Sequence, residues 1–100
     1  MVAPQDYRQR YIAFRADKSI TKGKLINIVS EIGYEKDFSP SPWLTLYDVE
    51  KAEGLIKCNN DQVDRLKSEL DGQDSPSFTI MGVSGTIKTA RQKFLSDYQN

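Results

Sequence analysis

The residues with the most chemical potential lie near the C-terminus, in Gly82-Val83-Ser84-Gly85-Thr86-Ile87-Lys88, followed by Arg91 and Lys93. An apolar run, Phe78, Ile80 and Met81, passes through this glycine-permissive turn straight into a helix-like segment. The N-terminus of such a helix carries unpaired backbone N–H groups and the positive end of the helix dipole, which together favour an anion. A phosphate there would meet the N–H groups of Gly85, Thr86 and Ile87, with Lys88 one turn in. The alternative is internal: Ser84 or Thr86 caps the helix with its own hydroxyl and no ligand is needed. Arg91 lies about 40° from Ile87 on an ideal helix. It therefore falls within the apolar arc of Ile87, Ala90, Phe94, Leu95 and Tyr98. Its head either extends to solvent or reaches a phosphate or an acidic partner.

Spacing rules out enzymatic roles for Ser84. A nucleophile elbow needs glycine two places after the serine, where this chain has Thr86, and no Gly-Lys-Ser/Thr follows at the separation a Walker loop requires. The chain also has no histidine, which removes the Ser-His and Cys-His pairs that activate most nucleophiles. Its one cysteine, Cys58, excludes an internal disulfide and, without histidine, argues against a zinc site. Cys58 reads as inert packing. Catalysis by the chain alone would rest on carboxylates, Lys or Tyr.

One hundred residues suffice for a single domain with one modest core. No apolar run approaches the roughly eighteen residues of a membrane span. The segment MVAPQDYRQRY lacks the apolar centre of a signal peptide, so the expected location is cytoplasmic. Net charge is zero but unevenly spread: +4 over residues 1–24, −6 over 25–74 and +2 over 75–100. A fold that joins the ends would give a neutral chain a basic face suited to a polyanion.

The elements that must do the joining are legible in outline. Tyr11 to Ala16 alternates as a strand, preceded by a basic arm over residues 1–10. Thr21 caps a helix through Leu25, Ile28, Val29 and Ile32, with Gly33 as its left-handed stop. SPSP (Ser39 to Pro42) breaks the chain before a strand Trp43 to Asp48, and an acidic turn to Gly54 leads into a third strand, LIKC. Asn59 and Gln62 form a capping box ahead of a helix through Val63, Leu66 and Leu70, ended by Gly72. Ser77 to Val83 is a fourth strand, and Thr86 to about Tyr98 a last helix.

Strand, helix, strand, strand, helix, strand and an extra helix is the split βαβ, α+β pattern. It is a ferredoxin-like (RRM-like) βαββαβ domain over residues 11–98, with a four-stranded antiparallel sheet and an additional C-terminal helix. The first and fourth strands are neighbours in that topology, so the basic arm and the Gly82 to Ile87 segment converge. Alternation places Ile12, Phe14, Leu44, Leu46, Ile56, Phe78 and Ile80 under the helices. Tyr11, Arg15, Trp43, Thr45, Tyr47, Lys57, Thr79 and Met81 then lie on the other face. Aromatics and bases there could stack single-stranded bases, but strand three lacks the glycine-aromatic signature of RNA-recognition modules. The apolar stripe of the last helix is expected to cover at least part of that face.

RYIAFRA, PWLTLYD followed by GLIKC, and MGVSGTIKTARQKFL, in this order and at these separations, resemble the archaeal ribonuclease P protein component 2 family, which has eukaryotic counterparts. The match runs from about Arg10 to Leu95, and GVSGTI with its basic helix is its most specific part. The resemblance implies a small non-catalytic subunit of an RNA-based endonuclease that removes the 5′ leader from precursor tRNA. It implies that the RNA performs the hydrolysis with bound magnesium, that the chain binds no cofactor, and that it supports the catalytic domain of the ribonuclease P RNA. It further implies pairing with ribonuclease P protein component 3, contact with precursor tRNA through the holoenzyme, and two copies of the chain in a heterotetramer. From charge and helix-end chemistry, the RNA-binding candidates are Ser84, Gly85, Thr86, Lys88, Arg91 and Lys93, with Arg8, Arg10 and Arg15 secondary. Trp43, Leu44 and Tyr47 belong either to a protein interface or to the core, and the core is the favoured reading. The competing readings are a small-molecule regulatory module and a protein-interaction domain on the same fold.

Overall fold

The computed structural model describes residues 8–74 and 76–95. In chain order they form β1 (Gln9–Ala16), α1 (Lys22–Glu35), β2 (Trp43–Asp48), β3 (Glu53–Asn59), a 3-10 turn (Asn60–Gln62), α2 (Val63–Asp71), β4 (Phe78–Ser84) and α3 (Ile87–Phe94). The sheet order is β2-β3-β1-β4 with every neighbouring pair antiparallel. This is the expected ferredoxin-like arrangement with its extra helix. β1 begins before the apolar pattern does, because Gln9 pairs with Asn59 and donates from its carboxamide to Asn59 Oδ1 at 3.1 Å. Gln9 and Arg10 therefore belong to the sheet; residues 1–7 of the expected arm, and Tyr98 of the expected last helix, lie outside the described residues.

Side chains alternating along the strands build two cores of unequal size. The larger joins Ile12, Phe14, Leu44, Ile56 and Phe78 to Leu25, Val29 and Ile32 of α1 and Leu66 and Leu70 of α2. Phe14 sits at its centre, edge-on to Phe78 with ring centroids 5.6 Å apart. The smaller core, on the opposite face, joins Ala13 and Leu55 to Ala90 and Leu95, with Tyr11, Met81 and Phe94 against them. The last helix thus covers the middle of the second face, as its apolar stripe requires. Ile87 departs from that stripe and is exposed at the helix start.

Bulges account for two departures from simple alternation. Between Leu44 and Leu46 the register of β2 against β3 slips. Beyond the bulge Leu46 faces α3, while Tyr47 joins the larger core and donates its hydroxyl to the Ile20 carbonyl at 2.8 Å. The expected faces of Leu46 and Tyr47 are therefore exchanged, because one extra residue reverses the pleat. On β4, Gly82 pairs with Ala13 but Ile80 with Phe14, so Met81 is the additional residue.

Gly33 is not the stop of α1. It lies buried within the helix, where a Cβ would come 3.1 Å from Pro42 Cδ and Ser41 Oγ, so the Ser-Pro loop packs against its bare backbone. The left-handed residue after the helix is Asp37, with φ of 58°, and the Phe38 N–H then closes back on the Gly33 carbonyl at 2.9 Å. Thr21 caps the other end as expected, its Oγ1 accepting from the Lys24 N–H at 3.2 Å.

Candidate nucleic-acid interface

β1 and β2 begin, and β3 and β4 finish, at one end of the sheet. The register there sets Trp43, Lys57, Tyr11 and Ser84 side by side across all four strands. Just beyond, Arg10 donates from Nη1 to its neighbour's carbonyl, Gln9 O, at 2.8 Å. The same Nη1 lies 3.5 Å from the position a Cβ on Gly85 would take. The guanidinium thus rests on the turn between β4 and α3. Gly85, Thr86 and Lys88 are exposed, as is Arg8 on the strand side. Arg8, Arg10, Ser84, Gly85, Thr86 and Lys88 are therefore brought to one solvent-facing junction by the pairing of the first and last strands.

The helix start combines both alternatives that the sequence leaves open. Thr86 adopts the extended geometry of an N-cap, and its Oγ1 accepts from the Thr89 N–H at 3.1 Å. Its own N–H donates to Ser84 Oγ at 3.4 Å. Those two N–H groups serve the protein, which narrows any anion contact to the remaining ones of the turn and first helical residues, with Lys88 beside them.

Other candidates are dispersed. Arg15 is five residues along β1 from Arg10, a separation of about 16 Å in a strand. It forms an ion pair with Glu53, whose side chain is only 1% exposed. Arg91 is half-buried on α3 with its Nε withdrawn from solvent, and Lys93 is exposed near the far end of that helix. Asp48 and Glu50 lie at the end of the sheet opposite the junction, on the β2–β3 turn, with Lys51 after them and the buried Glu53 paired to Arg15. The mid-chain acids on that turn thus lie away from the clustered bases.

Trp43 corrects a sequence expectation. Leu44 and Tyr47 pack in the core, but Trp43 is 65% exposed, because it is the first residue of an edge strand and the core face is reached only at Leu44. Its Cα partner Lys57 makes no ion pair among the described residues. The opposite-face pattern did group these two residues; exposure was not readable from it. Cys58, next along β3, is buried, and burial together with the nearby Asp61 carboxylate pushes its thiol from 9.0 up to about 11. Among the described residues, no three His, Cys, Asp or Glu side chains group as metal ligands, and no helix is long and apolar enough to cross a membrane.

A scan against protein-family models finds no match. Curated relatives are informative. The chain is 33% identical to ribonuclease P protein component 2 of Methanocaldococcus jannaschii over 88% of its own length and 73% of the relative's. It is 35% identical to the protein of the same name from Methanococcus aeolicus, with the same coverage of each. With that of Pyrococcus abyssi it shares 31% identity, over 91% of this chain and 87% of the relative. A similarity that spans both the sheet and the β4–α3 junction, at these identities and in several archaeal proteins of one name, places the chain in the ribonuclease P protein component 2 family.

Proposed function

We propose that this chain is a non-catalytic, RNA-contacting subunit of archaeal ribonuclease P, and that the end of the sheet bearing Arg10 and the β4–α3 turn rests on the phosphate backbone of the RNA's catalytic domain. The observation that carries the reading is the Arg10 guanidinium beside Gly85, next to an exposed, glycine-permissive helix start with Lys88 in its first turn. Fixed N–H donors and two cations at one junction suit a phosphate diester, which offers charge and acceptors and nothing to transfer. Arg8 supplements this surface from the strand side, Ser84 and Thr86 shape the turn, and Arg91 and Lys93 extend it along α3. Arg15, engaged by Glu53, is peripheral to it.

The chain contributes positioning, not hydrolysis. Magnesium belongs to the RNA in this reading, and the protein supplies no cofactor. Ribonuclease P protein component 3 is the protein partner, the opposite end, with Asp48 and Glu50 on the β2–β3 turn, offers it a surface distinct from the RNA side, and precursor tRNA is met only through the holoenzyme. A cytoplasmic location follows from that role.

The test is reconstitution. Catalytic RNA and component 3 are assayed for precursor-tRNA cleavage with and without this chain, and the rate is expected to rise when it is added. An unchanged rate would remove the chain from the enzyme's function.

A further inference from the structure

Trp43 exposes most of its indole on an edge strand, directly across from Lys57. Beside them lies an open hollow of about 270 Å³, whose lining includes Gln9, Ser41, Trp43, Lys57 and Asn59. We propose that this hollow receives a single unpaired nucleotide of the RNA, its base stacked on Trp43 and its phosphate held by Lys57. The inference rests on the RNA-contacting reading above and adds a second, base-directed contact to it.

The chemistry of the lining selects this occupant. Exposed aromatic rings paired with cations are how proteins hold single-stranded bases, since every base has a π-face and every linkage a charge. Gln9, exposed at the start of β1, brings a carboxamide, which carries donor and acceptor together and so matches the edge of an unpaired base; Asn59, only 3% exposed, supports it from within the fold. Gln9 Nε2 donates to Asn59 Oδ1, and the Asn59 N–H to Gln62 Oε1 at 3.0 Å, so the amide wall is held in place. The bases outnumber the acid beside it: the hollow lies at the end of the sheet that carries Arg8, Arg10 and Lys57, with the Asp61 carboxylate near Cys58 in its lining. A protein anchor fits less well. The apolar hollow on the other side of Trp43, against Ile26, Pro42 and Leu44, measures about 60 Å³, well short of the roughly 150 Å³ that admits a benzene ring.

Trp43 is the single tryptophan of the chain, so its emission reports the contact directly. The full chain is titrated with ribonuclease P catalytic RNA, with a single-stranded oligouridylate and with a duplex of equal length. Stacking predicts quenching by the first two and little by the duplex. Trp43→Ala should weaken binding of the catalytic RNA about 5- to 150-fold while Trp43→Phe retains most of it. Lys57→Ala should make the logarithmic salt slope shallower by about 0.7–0.9. Thermal melts confirm that each variant is folded.

Catalytic RNA that binds and is stimulated in cleavage, with Trp43 emission and Trp43→Ala affinity both unchanged, would overturn the pocket and leave the proposed function standing. Equal quenching by duplex would overturn it as a site for an unpaired base. Loss of component 3 binding in Trp43→Ala, with RNA affinity intact, would reassign the indole to a protein interface. Failure of the wild-type chain both to bind RNA and to stimulate cleavage would remove both readings.

Discussion

The Phe94 ring occupies the space in which a side chain on Gly82 would begin: a Cβ there would run into its Cζ and Cε1. The strand that ends in the basic junction and the helix that follows it are locked together at this point, with Ala13 paired to Gly82 on the neighbouring strand. Because α3 starts at the junction, its docking fixes where Lys88 stands. Packing here is thus a condition of the surface.

Gly82→Ala should therefore force the Phe94 ring off the sheet and loosen α3, costing about 1–3 kcal/mol by the usual penalty for overpacking. Urea unfolding measures this, and a smaller second side chain, in Gly82→Ala with Phe94→Leu, should recover part of the loss. A single substitution that left stability unchanged would mean that α3 is not seated on β4 in solution.

The ion pair between Arg15 and Glu53 separates a structural cation from those proposed to meet RNA. Removing Arg15 leaves a carboxylate that is nearly fully buried, but Arg15 itself is half-exposed and solvent screens the pair. Arg15→Ala is expected to cost about 1 kcal/mol and to leave the salt slope of RNA binding as it was. Arg10→Ala and Lys88→Ala should do the reverse, each making the slope shallower by about 0.7–0.9 with little change in melting temperature. Arg91→Ala should do both, since its buried stem and its charge are lost together. Salt titrations of the complex with catalytic RNA and component 3 read all four.

The buried thiol of Cys58 makes stability depend on alkaline pH. Its ionisation is pushed from 9.0 up to about 11 by burial first and Asp61 second. Below pH 9 the thiol is neutral in both states and the contribution is intact. As pH rises from 9 towards 11 the unfolded chain releases the proton and the folded one does not, so stability falls, by about 2–3 kcal/mol in full. Cys58→Ala should flatten that part of the pH profile relative to wild type. Thiol-modifying reagents at neutral pH should react slowly with the native chain and rapidly once it is unfolded.

Much of this was legible in the chain, for reasons visible at particular residues. Leu25, Val29 and Ile32 mark α1 by period, Thr21 by its hydroxyl, and Asn59 with Gln62 by reciprocal capping, all of them local signals. The order of elements then forces β1 against β4, which is why the convergence of Arg10 on Gly85 could be anticipated. What escaped depends on single-residue register and on tertiary contact. Nothing local marks the bulge that exchanges Leu46 and Tyr47, and Gly33 looks like a helix stop until the Ser-Pro loop is seen against it. The general burial of tryptophan favours an inward Trp43. Its exposure follows from the position of β2 at the sheet edge, a property of the assembled sheet.

Thr86 offers the sharpest separation of cap from ligand site, since its hydroxyl serves α3 while its surroundings are proposed to meet phosphate. Thr86→Ala removes the acceptor for the Thr89 N–H and should cost about 0.5–2 kcal/mol. Thr86→Asp keeps an acceptor and adds a negative charge at the favourable end of the helix dipole, so stability should equal or slightly exceed that of wild type. If the junction serves only its own helix, the aspartate variant should bind catalytic RNA, in the presence of component 3, as wild type does. If a phosphate approaches Gly85 and Lys88, the added charge repels it, and affinity should fall while the melting temperature does not. Electrophoretic mobility shifts on the two variants, alongside their thermal melts, distinguish these outcomes, because only a bound anion makes the more stable variant the weaker binder.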